Sequence, residues 1–124
     1  MNTWESGRES KLLDDIIAGR KTIEGRLNRS KFAQYKPGDV IRLRRDIRKA
    51  DGTLMDGEPD AATVKIVSIR HYATFLEMVE SEGFKRVIPY AATAHEAAAE
   101  YDKYYSKEDQ RKYGVIAVEI QLLS

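Results

Sequence analysis

Apolar positions along this chain recur with two periods, and the switches between them mark the elements. Leu12, Leu13, Ile16 and Ile17 fall at helical spacing, so the pattern predicts a first helix over Arg8 to Ala18, stopped by Gly19. From Thr22 to Leu27 the period becomes two. If this segment is extended, Ile23, Gly25 and Leu27 share one face, and Thr22, Glu24 and Arg26 share the other. Tyr35-Lys36-Pro37-Gly38-Asp39 reads as a turn, because Pro presets its first corner and Gly accepts a positive dihedral at the next. Val40, Ile41 and Leu43 then start a second strand. Residues 46–60 carry Asp51-Gly52 and Asp56-Gly57 with little apolar content, which predicts a hairpin tip or mobile loop inserted locally. Ala62 to Tyr72 alternates around Val64, Ile66 and Ile69, while Val67 falls out of step, so a central strand with a bulge or two-sided burial is expected.

The second half turns helical. Thr74-Phe75-Leu76-Glu77 and Thr93-Ala94-His95-Glu96 both have the form of a capping box, in which a hydroxyl accepts from the first free backbone N–H groups. The first box opens a short amphipathic helix ending at Gly83, and the second opens an alanine-rich one reaching Tyr105. Ser106-Lys107-Glu108-Asp109 starts a further turn of helix that ends near Gly114, and Val115 to Leu123 closes the chain as a strand. A helix, several strands, inserted helices and a final strand indicate a mixed α+β fold. The simplest arrangement is a small closed or nearly closed β-barrel with helices over its ends. The 124 residues fit a single domain, residues 1–124, without internal repeats.

Composition narrows the chemistry. With 42% hydrophobic and 33% charged residues and no long apolar run, the chain is expected to be soluble and cytoplasmic, without a membrane segment or signal peptide; its oligomeric state is open, with a monomer favoured. The absence of cysteine excludes disulfides, thiol catalysis and thiolate metal sites, and His71 and His95 stand apart, so neither a metal nor a cofactor is expected. The net charge of +1 hides an imbalance: residues 1–50 hold 13 Lys/Arg against 7 Asp/Glu, whereas residues 51–124 hold 8 against 13. Arg42, Arg44, Arg45, Arg48 and Lys49 concentrate on one predicted strand and its loop, which suggests a local basic patch for a polyanion.

Within the basic half, the polar face of the first predicted strand is the strongest chemical signal. Lys21 enters the row formed by Thr22, Glu24 and Arg26, so a point cation, an acceptor and a forked guanidinium converge on one spot. That set suits a phosphate, a nucleobase edge or a nucleoside amide. Arg26 is expected to grip phosphate or a base edge, Lys21 to supply mobile charge, and Glu24 to stay ionised and accept from an exocyclic amine. Aromatic residues gather around the helical inserts. Tyr72 and Tyr105 are the ones expected to wall a pocket and stack a base, and Trp4 is expected to cap the barrel or pack on the first helix. Thr22 and Thr74 are the nearby hydroxyls available as nucleophiles, and each also has a structural explanation, strand propensity for Thr22 and helix capping for Thr74.

Several of these segments recur together in a known family. Ala18-Gly19-Arg20-Lys21-Thr22-Ile23-Glu24-Gly25-Arg26 followed by Lys36-Pro37-Gly38-Asp39 resembles the signature of the ASCH domain, a PUA-like barrel. Tyr72 to Gly83, Tyr104 to Glu108 and Lys112 to Ala117 also resemble small stand-alone members, so the resemblance runs nearly the whole chain. It implies a barrel whose cleft, lined by Lys21, Glu24 and Arg26, binds RNA or a modified nucleoside or nucleotide. One branch of the family consists of amidohydrolases acting on N4-acylated cytidine, with a Lys as base, a Thr three residues later as nucleophile and a distant Glu as acid. Lys21 matches that lysine, but Glu24 occupies the nucleophile's place, so Lys21 and Glu24 are the catalytic pair only if Glu24 activates water instead.

Overall fold

A strand, not a helix, opens the chain. The computed structural model describes residues 1–123 apart from the side chains of Arg48, Leu54 and Asp56, so the cation expected at Arg48 lies outside the described residues. β1 (Thr3–Glu9) runs parallel to β3 (Val40–Arg48), and the first helix, α1, is confined to Ser10–Ile17. The periodicity failed to reveal β1 because its inward positions are Trp4, Ser6 and Arg8, which carry no apolar alternation. After α1 come β2 (Ile23–Leu27), a 3₁₀ turn (Ser30–Gln34) and β3. β4 (Leu54–Asp56) folds back on the end of β3, so residues 46–60 form a hairpin arm. β5 (Ala62–Tyr72), the helices α2 (Phe75–Glu82), α3 (Phe84–Val87), α4 (Ala94–Asp102) and α5 (Lys107–Tyr113), and β6 (Val115–Leu122) complete the chain.

The strands hydrogen-bond in the order β1-β3-β5-β6-β2, with β4 appended to β3. The sheet curls into a half-barrel, and its two end strands, β1 and β2, approach each other as the lips of a seam. Register fixes which residues face inward. In β2, Glu24 and Arg26 stand opposite Val118 and Ile116 of β6, whereas Gly25 stands opposite Ala117. In β1, Trp4, Ser6 and Arg8 stand beside Ile41, Leu43 and Arg45 of β3. The register of β5 on β6 shifts between Ile66 and Ser68, so the out-of-step Val67 marks a bulge and is 45% exposed.

Two cores share this sheet. One packs Leu13 and Ile16 of α1 against Ile41, Leu43, Val64 and Ile66 of β3 and β5. The other packs Ile23 and Leu27 of β2 against Phe75 and Met78 of α2 and Ala97 and Tyr101 of α4. β6 serves both, with Ile116 and Val118 on the first side and Val115 and Ala117 on the second, so all four are buried. The helix starts follow the sequence: the Thr74, Thr93 and Ser106 hydroxyls accept from the N–H groups of Glu77, Glu96 and Asp109 at 3.0–3.1 Å. Each such cap contributes about 1 kcal/mol. Trp4 packs on Tyr35 with ring centres 5.3 Å apart, and its indole N–H donates to Asp39 at 2.9 Å, which fastens β1 to the turn before β3.

Candidate functional site

The site begins where α1 ends. Ala18 closes the helix and Gly19 adopts φ +81°, a left-handed conformation that costs little only without a Cβ. The N–H groups of Arg20 and Lys21 both return to the Asp15 carbonyl, at 2.9 and 3.1 Å. The chain thereby reverses and carries the Lys21 side chain indoors. Its ammonium donates to the carbonyls of Ile23, at 2.9 Å, and Val87, and only 4% of the residue is exposed. Lys21 is therefore a fixed cation, not the mobile one expected from its place in the sequence.

Glu24 sits at the centre of the seam. Arg8 reaches across from β1 and grips its carboxylate with two donors, Nε on Oε2 and Nη2 on Oε1 at 2.9 Å, while Arg26 adds a longer contact of 3.3 Å from its own strand. Burial would raise the Glu24 pKa, but the charges of Arg8 and Arg26 outweigh it and hold the group at about 2. It stays ionised, as expected. Its oxygens accept from two guanidinium groups, which fixes both cations at the seam. Burial, reinforced by the charges of Arg26 and Arg8 and opposed by Glu24, pulls the Lys21 ammonium down to about 7.

Above this floor lies a cleft of about 410 Å³, within the size range of small-molecule sites. Lys11 and Leu12 of α1 form one side, and Tyr101, Tyr104 and Tyr105 at the end of α4 form the other. Phe75 stacks between Tyr101 and Tyr105, with centroids at 4.3 and 5.3 Å, and so braces that wall from behind. Gly25 makes the close approach possible. A Cβ there would lie 2.9 Å from the Tyr101 ring and 2.7 Å from the Met78 methyl. At the mouth, the Tyr90 hydroxyl donates to Glu100 at 3.3 Å and Lys11 lies 4.0 Å above the Tyr90 ring.

Of the residues singled out from sequence, Lys21, Glu24, Arg26 and Tyr105 meet at this cleft. Three do not. Thr22 precedes β2, its N–H donates to Arg86 at 3.0 Å, and its hydroxyl accepts from the Arg86 guanidinium at 3.3 Å, on the side of a separate cavity. Tyr72 donates to Glu82 in another network, and Thr74 caps α2. Alternation was a sound guide within the strand, but the strand begins one residue after Thr22. The expected basic patch also dissolves in part. Arg42 pairs with Glu5 and Asp60, Arg44 with Asp46, and Arg45 with Asp14 and Glu58. Arg8 was missed entirely, although its place two residues after Ser6 and four after Trp4 is the spacing of one strand face.

Solved structures share the fold. The chain resembles the hypothetical protein PH0355, whose crystal structure matches with a TM-score of 0.82 at 36% identity over 98% of this chain and 99% of that one. It also resembles protein PF0455 from Pyrococcus furiosus, solved by solution NMR, with a TM-score of 0.78 at 36% identity over 98% of each chain. An ASCH domain from Lactobacillus crispatus JV V101 shares the fold, with a TM-score of 0.58 at 10% identity over 98% of this chain and 79% of that one. No curated protein matches the chain. The ASCH domain pattern matches residues 9–124, from the end of β1 to the C-terminal residue. The half-barrel is thus a PUA-like fold, and the chain belongs to the ASCH domain family.

Proposed function

We propose that this protein binds RNA or a modified nucleoside or nucleotide in the seam cleft. One observation carries the reading: a tyrosine-walled cleft stands on a buried floor in which Arg8, Arg26 and Lys21 surround the Glu24 carboxylate. A flat wall beside a cationic floor suits a base that carries or adjoins a phosphate. Arg26, still partly exposed, supplies the donor fork to a base edge or phosphate, and Tyr105 with Tyr104 offers the stacking face. Arg8 and Glu24 hold that fork in place. Affinity for a short single-stranded RNA or for cytidine derivatives, measured by calorimetry, is expected to fall by about 1–3 kcal/mol in Arg26→Ala and in Tyr105→Ala. Unchanged affinity in both variants, with the fold intact by circular dichroism, would overturn the reading.

Amide hydrolysis has one observation in its favour, the Lys21 amine lowered to about 7 at the foot of the cleft, where its neutral form can take up a proton. Against it, the Thr22 and Thr74 hydroxyls lie outside the cleft and Glu24 is clasped by Arg8. Release of acetate from N4-acetylcytidine, lost in Lys21→Met, is the result that would favour hydrolysis over binding alone.

A further inference from the structure

The floor of the cleft has an outer continuation that the tyrosine wall does not cover. Lys31 lies on the 3₁₀ turn after β2 and reaches back across the seam, where its ammonium donates to the Glu5 carbonyl of β1 at 2.9 Å. The Phe32 ring gathers two cations. The Arg26 guanidinium lies 5.3 Å from its centre and the Lys31 ammonium 5.5 Å. Among the described residues Lys31 has no carboxylate partner, and the Glu24 carboxylate beside Arg26 is already shared with Arg8. The crowding is felt electrostatically: partial burial first, then the charges of Arg8, Arg26 and Arg44, lower the Lys31 pKa.

We infer that Arg26 and Lys31, gathered on the Phe32 ring at the outer lip of the seam, form a site for a phosphate group of a nucleotide whose base occupies the cleft. Donor capacity supports this. An ammonium carries three N–H groups and Lys31 directs one at Glu5, while Arg26 directs one at Gly25 and one at Glu24 out of its five. The remaining donors belong to two cations on one ring, of which only Arg26 meets a carboxylate, the one it shares with Arg8, and a phosphate supplies the multiple charged acceptors that such a set lacks. The position also fits a strand of RNA, because Arg26 lines the cleft and touches Phe32 at once.

The inference rests on the cleft reading above, and its test separates the two. Cytidine, cytidine 5′-monophosphate and a 5′-phosphorylated trinucleotide are titrated into the wild-type protein and Lys31→Gln, with Lys85→Gln as a control. Lys85 also lies over a phenylalanine, Phe84, but on α3 and outside the cleft lining. Lys31→Gln is expected to bind both phosphorylated ligands about 5- to 10-fold more weakly, with cytidine affinity unchanged. Its salt slope for the trinucleotide should also fall by about 0.7. Preference for the trinucleotide over the monophosphate would identify RNA as the source of the phosphate, and equal affinity would identify a free nucleotide; either supports the site. Inorganic phosphate alone, followed through the amide resonances of residues 31 and 32, examines the site even if cytidine fails to bind, and saturable shifts abolished in Lys31→Gln would sustain it. Equal nucleotide affinity in Lys31→Gln and wild type, or no saturable shift with phosphate, overturns the inference.

Discussion

Two arginine–glutamate forks stabilise this half-barrel, and they differ in what surrounds them. In the seam, Arg8 grips Glu24 with both residues buried, and Arg26 and Lys21 crowd the same carboxylate. On the other side of the sheet, Arg70 of β5 grips Glu82 of α2 at 2.6 and 2.7 Å, but Arg70 is 35% exposed, also meets Glu119 at 2.9 Å, and shares Glu82 with the Tyr72 hydroxyl. The first group holds more cations than carboxylates and faces a cleft. The second has a second carboxylate for its arginine and ties a helix to a strand. The same side-chain pair can therefore floor a cleft or tie a helix to a strand.

Removing one partner from each fork should expose the contrast most strongly. Glu24→Gln leaves Arg8 buried without its counter-ion, and a loss of about 3–5 kcal/mol is expected in urea unfolding. Glu82→Gln should cost less, about 1–2 kcal/mol, because Arg70 retains Glu119 and contact with water. Equal losses would erase the distinction. Gly25→Ala falls between them at about 1–3 kcal/mol, since the Tyr101 ring behind it is held by its stack on Phe75, and it should also weaken ligand binding by shifting the wall.

Proton linkage offers a subtler separation. Glu24 and Glu82 both have lowered pKa values in the folded state, so both add stability that is lost as pH falls below the ordinary carboxylate range. Lys21 acts at the opposite end. Its folded value of about 7 lies below the ordinary lysine value of 10.5, so between these two the unfolded chain binds more protons and stability should rise with pH. Lys21→Met is expected to flatten that alkaline rise while leaving the acid limb; an unaltered slope would show that Lys21 does not titrate in this window. The smallest effect is expected at Tyr35, whose buried hydroxyl finds no hydrogen-bond partner among the described residues. Tyr35→Phe should be neutral or slightly stabilising in thermal unfolding.

The parts of the molecule that sequence reveals are those governed by neighbours along the chain. The three hydroxyl caps, the stops at Gly19, Gly83 and Gly114 and the bulge at Val67 each depend on residues within a few positions, and all were legible. The facing of Glu24 and Arg26 was legible for the same reason. What crosses the chain was not. Arg8 lies 16 positions before Glu24, and only the curl of the sheet brings them together. Tyr72 and Thr74 sit near the helical inserts in sequence, yet the strand carrying Tyr72 directs it at Glu82 and the α2 N-terminus occupies Thr74. The basic run of β3 met its carboxylates from the segments around residues 5, 14, 46 and 58–60, pairings that a tally of charge along the chain does not register.

The unzipped lips of the half-barrel have a consequence for the protein at high concentration. An end strand with idle amide and carbonyl groups invites a strand from another molecule to add to it, the first step of edge-to-edge aggregation. Here β1 and β2 confront each other, the Lys31 ammonium occupies the Glu5 carbonyl, and two guanidinium groups stand in the gap. Charged side chains at a sheet edge are one of the devices that blunt such pairing, so the cations proposed to draw an anion are expected also to discourage edge-to-edge association.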